Sequence, residues 1–175
     1  NNAPVVIDPA PTQPASDHGR SGTESEGSLS YPQGSGAKAS MILVGDSLSE
    51  GQQSLLERAL PGWSVAVSAE IGRHLAEGMS ILADANIPAD GAVVAMGLFT
   101  NDDPWRTGEL ASAVRTSLRR AGPNGCAIWA TIASPPVEGQ TFAAANRLLV
   151  SLAAREPRLR IVPWARAAEQ AGVLG

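Results

Sequence analysis

From Met41 onward the sequence alternates short apolar runs with amphipathic segments. No other feature limits its folding as much, because this alternation is the signature of βαβ units joined into a parallel sheet. Five apolar runs read as strands, at residues 41–45, 63–68, 92–97, 126–132 and 159–164. Each is short and almost continuously apolar, as a strand covered on both faces requires. Between them, apolar residues recur at helical spacing: Leu55, Leu56, Ala59 and Leu60; Leu75, Met79 and Leu82; Leu110, Val114 and Leu118; Phe142, Ala145, Leu149 and Leu152. A short helical stretch, "ARAAEQA", follows the last run, and "PGW", "IPADG", "GPNG" and "EP" break the chain between elements. With right-handed crossovers, this pattern predicts a three-layer α/β/α sandwich around a mostly parallel five-stranded sheet, flavodoxin-like in outline.

Residues 1–40 differ in kind. They are crowded with Pro, Gly, Ser and acidic residues and have no sustained hydrophobic period. Such a composition buries too little surface to offset its ordering entropy, so the segment reads as a largely irregular leader or linker. Within it "APVVID" suits at most a short edge strand, given its flanking prolines. The α/β domain is expected over residues 41–175. A chain of 175 residues that is 43% apolar has the length of one domain and enough apolar content for a core. Thirteen basic against seventeen acidic residues argue against a nucleic-acid partner, which would call for a basic patch. No apolar stretch approaches the roughly 20 residues of a membrane helix. The single cysteine, Cys126, lies in "CAIWATI" and reads as a small buried hydrophobe. One cysteine and two separated histidines do not make a zinc site, and no metal or other cofactor is implied.

In an open parallel sheet, ligands bind beyond the carboxyl ends of the strands, where the strand order reverses. The segments leaving those ends are "GDSLSEG", "SAEIGRH", "GLFTNDDPW" and "IASPPVEG". Ser47 stands where an apolar run gives way to a helix-starting segment, so its hydroxyl is expected at the sheet edge. Three hydrogen-bond donors are available for a developing oxyanion: the Ser47 N–H, the Gly72 N–H and the Asn101 amide. Each residue also has a plainer reading. Ser47 suits an N-cap or turn, Gly72 a turn, and Asn101 in "NDDP" a helix entry. Asp46 suits a carboxylate that orients the turn. The four tryptophans, Trp63, Trp105, Trp129 and Trp164, read mainly as core, with Trp105 also suited to lining a pocket.

Taken together, "GDSL" at Gly45 to Leu48, Gly72 in the second loop, and Asn101-Asp102 after the third strand resemble the first three sequence blocks of the SGNH, or GDSL-type, hydrolases. The similarity runs from about Met41 to the end of the chain. The resemblance implies that Ser47 is a nucleophile, and that Ser47, Gly72 and Asn101 donate to the oxyanion. Two departures stand out. The third block of the family reads Gly-x-Asn-Asp, whereas here Leu98, Phe99 and Thr100 separate Gly97 from Asn101, as if two residues had been added. The family also carries a late Asp-x-x-His pair as general base and orienting acid, and none follows residue 162 here. The expectation is a processed chain or fragment that stops just before that loop and a final helix. The substitutes in the sequence are His18, in the leader, and His74, two residues after Gly72.

The expected function is that of a serine esterase or acyl-transfer domain acting on small-molecule or carbohydrate esters. The Pro- and Ser-rich leader suggests a spacer in a secreted or envelope-tethered protein, and with it an O-acetyl sugar substrate. The alternative is a catalytically silent binding or accessory domain that keeps the fold without a base. A flavodoxin-like nucleotide-binding module is the weakest reading, since neither a GxGxxG motif nor a P-loop is present.

Overall fold

A computed structural model describes residues 39–172 of the chain. "APVVID" and His18 lie outside those residues. Five parallel strands form one sheet in the order β2-β1-β3-β4-β5: β1 (Ala39–Gly45), β2 (Trp63–Ala69), β3 (Val93–Gly97), β4 (Cys126–Ala130) and β5 (Leu159–Val162). The helices are α1 (Gln53–Ala59), α2 (Leu75–Asp84), α3 (Thr107–Arg120), α4 (Ala143–Ala153) and α5 (Trp164–Gln170). The three-layer α/β/α sandwich expected from the sequence is the fold observed.

Strand alternation divides the side chains between the two faces. On one face, Ile42, Val44, Val94, Met96, Ala127 and Trp129 pack against α2, α3 and α4 through Leu82, Leu110, Val114 and Leu149, forming a single buried cluster. On the other, Met41, Leu43 and Ala95 form a small cluster with the half-buried Leu56 and Leu60 beside α1.

The strand ends differ from expectation for local reasons. β1 starts two residues early, at Ala39, because Ala39 and Ser40 pair with Trp63 and Ser64. β4 stops at Ala130 because Asn146 of α4 takes over the backbone of Ile132, receiving its N–H at 2.7 Å and donating to its carbonyl at 2.9 Å. β5 stops at Val162 because Pro163 has no N–H to continue a ladder, and Trp164 begins α5.

Three packing expectations fail. In α1, Leu55 is 55% exposed and no residue is fully buried, so the stripe of four reduces to Leu56 and Leu60. Of the four tryptophans only Trp129 is fully buried, its indole N–H donating to Ser117 Oγ at 2.9 Å. Trp63 opens an edge strand and Trp105 sits in a loop, so each has a solvent side. Cys126, at the start of β4, is half-buried.

Candidate active site

The strand order reverses between β1 and β3, which follow each other in space but not in sequence. Their ends are level: Gly45 pairs with Gly97 on one side and with Ala69 of β2 on the other. Three consecutive loops therefore leave the sheet from adjacent points, carrying Ser47, Gly72 and Asn101 respectively. All three residues are exposed.

Ser47 opens a single 3-10 turn, Ser47–Ser49, instead of a longer helix; α1 begins only at Gln53. Asp46 caps that turn, accepting the Leu48 N–H at 3.0 Å, and it also accepts the Thr100 hydroxyl from the third loop. Its own N–H donates to Gly97 O at 3.0 Å. Asp46 is thus a buried carboxylate whose bonds join the β1 and β3 loops. The turn folds back tightly enough for Ser49 to lie on the ends of both strands. A Cβ built at Gly45 would stand 2.1 Å from Ser49 Oγ, and one at Gly97 2.7 Å from it. Glycine at both positions is what allows Ser47 to stand where it does.

Gly72 has a φ of 77°, and no atom lies within 4 Å of a Cβ built on it. Backbone conformation, not crowding, is what calls for glycine here. Asn101 donates one amide hydrogen to Arg73 O at 3.1 Å, which fixes the side chain and leaves the second hydrogen without a partner among the described residues. The irregular stretch before it does not bulge into solvent, since Leu98 and Phe99 are buried in the main core. Phe99 has a φ of 89° and meets Phe142 edge-on, with ring centroids 6.2 Å apart. Counting back from Asn101, the glycine of Gly-x-Asn-Asp falls on Phe99, and its φ is one that glycine adopts without strain. Burial of the ring offsets the backbone cost.

Arg73 was not singled out by its sequence context, yet it ties the site together. Its buried guanidinium donates to Gly45 O at 3.0 Å, Ser68 O at 2.8 Å and Ser68 Oγ at 3.1 Å, and pairs with Glu70 at 3.0 Å. Its carbonyl receives the Asn101 amide. One residue thus touches all three loops. A lone arginine after a glycine gives no hint of this in the sequence, because Gly45 O, 28 residues away, is brought close to it only by the fold.

His74 caps α2 through its N–H, which donates to Glu77 Oε2 at 2.9 Å. Its ring is 56% exposed, with Nδ1 3.4 Å from Asp102 Oδ1, and Asp102 Oδ2 accepts the Leu75 N–H at 2.9 Å. Among the described residues no hydrogen bond joins this ring to Ser47. Trp105 lies farther along the third loop, 49% exposed, and does not line the apolar cavity of about 400 Å³ that Asp46 and Leu48 border. Among the described residues no group of three His, Cys, Asp or Glu side chains is placed to hold a metal ion. Nor is any described helix long and apolar enough to cross a membrane.

No protein-family model and no curated protein matches the sequence. Solved structures do match. A member of the lipolytic protein G-D-S-L family from Veillonella parvula aligns with a TM-score of 0.60 at 14% identity, covering 78% of this chain and 84% of that one. The SGNH-hydrolase family esterase AlinE4 aligns with a TM-score of 0.58 at 18% identity, covering 77% and 80%. The C-terminal catalytic domain of peptidoglycan O-acetyltransferase A from Streptococcus pneumoniae aligns with a TM-score of 0.56 at 18% identity, covering 77% and 74%. With its strand order and crossovers, the chain has the fold of the SGNH hydrolases.

Proposed function

We infer that the chain is a serine esterase or acyl-transfer domain of SGNH type. One observation carries this reading: Gly45, Ala69 and Gly97 end their strands at one level, so the loops bearing Ser47, Gly72 and Asn101 start side by side. Ser47 Oγ attacks the ester carbonyl. The negative charge on the carbonyl oxygen is met by the Ser47 N–H, the Gly72 N–H and the second Asn101 amide hydrogen, donors already fixed before reaction. The alcohol leaves with a proton, and water or another hydroxyl takes the acyl group from Ser47. His74 is the base available in residues 39–172: Asp102 faces its Nδ1, which leaves Nε2 to accept the Ser47 proton. Small esters are the substrate class, with O-acetyl carbohydrate among them and the Pro- and Ser-rich leader as a spacer.

A second reading is favoured by a specific observation. Since no hydrogen bond joins His74 to Ser47 among the described residues, the domain also fits a catalytically silent binding or accessory role. Turnover of p-nitrophenyl butyrate separates the two. The enzyme reading expects Ser47→Ala to lower the rate about 10⁴-fold or more, and Asn101→Ala about 10²–10³-fold. His74→Gln is expected to lower it about 10²–10⁴-fold. A rate indifferent to His74→Gln removes that residue as base, and a chain with no turnover at all supports the silent domain.

A further inference from the structure

The loop that carries Gly72 has almost no packing of its own. Ile71 is 73% exposed, the Glu70 side chain is 71% exposed, and no atom lies within 4 Å of a Cβ built on Gly72. Of residues 70–74 only Arg73 is buried. The loop is a turn closed by the Arg73 N–H, which donates to Glu70 O at 3.3 Å. Gly72 is third in that turn with a φ of 77°, the left-handed backbone that the third position of a type II turn requires. Its N–H belongs to the central peptide of the turn, so the way this donor faces depends on how the turn is held. Side-chain packing does not hold it, and the hydrogen bonds of Arg73 do. Nη1 reaches back to the ends of two strands, meeting Gly45 O at 3.0 Å, Ser68 O at 2.8 Å and Ser68 Oγ at 3.1 Å, while Nη2 meets Glu70 Oε2 at 3.0 Å. A planar fork can hold the strand ends and the first residue of the turn at once, which the single nitrogen of a lysine cannot. The main-chain carbonyl of the same residue accepts the Asn101 amide at 3.1 Å. A buried ion pair adds little to stability over an apolar side chain of similar volume, so what Arg73 supplies here is geometry.

We propose that Arg73 is a positioning residue for two oxyanion donors: its guanidinium pins the Glu70–Arg73 turn to the ends of β1 and β2, and its carbonyl aims the Asn101 amide from the pinned turn. The Gly72 N–H and the Asn101 amide are thereby held as one unit relative to Ser47, whose loop starts at Gly45, a residue the guanidinium also holds. Arg73 itself touches no reacting atom. That the donors serve an oxyanion rests on the esterase reading, whereas their attachment to Arg73 does not. Loosening the turn leaves substrate binding nearly unchanged and weakens the transition state, because the donors act on charge that develops only there.

Arg73→Met in the full chain removes the guanidinium and keeps an unbranched side chain. Arg73→Lys, expected to act in the same direction more weakly, serves if the methionine variant fails to fold by far-UV circular dichroism. Nitrogen-15 relaxation reads the anchoring without requiring turnover. Order parameters at the Gly72 amide and the Asn101 side-chain amide are expected to fall from about 0.85 to below about 0.6 in Arg73→Met. With p-nitrophenyl butyrate, kcat is expected to fall about 10²-fold while KM stays within about twofold. Asn101→Ala, which alone lowers the rate about 10²–10³-fold, is expected to lower it less than about tenfold when added to Arg73→Met, because the amide has already lost its aim. A residue that served stability alone would leave both amides ordered and give losses that multiply. Unchanged order at Gly72 and Asn101 in a folded variant therefore overturns the proposal, as do independent losses in the double variant or a loss confined to KM. If the unsubstituted chain turns over ester while the variant keeps both amides ordered, the esterase reading stands and the role of Arg73 falls. Loss of order at both amides in a chain that hydrolyses no ester upholds the anchoring and removes the esterase reading instead.

Discussion

The two faces of the sheet are packed to different depths. Against α2, α3 and α4 the core is continuous, with Trp129, Phe99 and Leu149 fully buried and each helix contributing buried residues. On the opposite face α1 buries no residue fully and α5 buries only Ala168. Between them lies the apolar cavity whose rim is the Ser47 turn. The difference separates two tasks within one sheet. The closed face holds the strands in register, and that register sets the level at which the three loops leave. The open face leaves apolar wall beside the candidate site. Buried packing is therefore concentrated on the face away from the cavity beside the Ser47 turn.

Substitutions ordered by expected effect test this division. Trp129→Ala, on the closed face, should cost about 3–5 kcal/mol in urea unfolding, since it empties a fully buried site and leaves Ser117 without its indole donor. If it costs under about 1 kcal/mol, the closed face is not where the stability resides. Gly45→Ala places a Cβ 2.1 Å from Ser49 Oγ, so the turn must shift. A loss of about 1–3 kcal/mol is expected, together with lower ester turnover. Preserved turnover would show that the turn position is not set by this contact. Leu56→Ala on the open face should cost roughly 1 kcal/mol, because the residue is only half-buried and the cavity beside it already exists. Leu55→Ala, at an exposed position, should change stability by no more than about 0.5 kcal/mol. A large loss at Leu55 would mean that α1 is covered in solution and that the face is less open than described.

Much of this architecture was legible in the sequence. Apolar runs separated by breakers were enough to mark five strands, because strands covered on both faces need little else. The four-residue stripe at Leu55 to Leu60 misled, since periodicity reports which side of a helix is apolar and not how fully the opposite surface covers it. Tryptophans on strands suggested core for the same reason, although Trp63 opens an edge strand and has a solvent side. At the site, Ser47, Gly72 and Asn101 stood out because the loops after the first three apolar runs resemble the first three sequence blocks of the SGNH hydrolases. The supports of that site did not stand out. Arg73 acts through backbone carbonyls of two other strands, and Ser49 through its contact with two glycines 52 residues apart in sequence, Gly45 and Gly97. The positive φ of Phe99 is equally silent in the sequence, because only the Phe142 contact and the surrounding core make it affordable.

The central claim is that Ser47 is an activated nucleophile. The most direct measurement is the intact mass and peptide map of the chain after exposure to an alkyl fluorophosphonate, which is expected to show a single adduct on Ser47 that is lost in Ser47→Ala. An unmodified chain, or an adduct on a different serine, would contradict it.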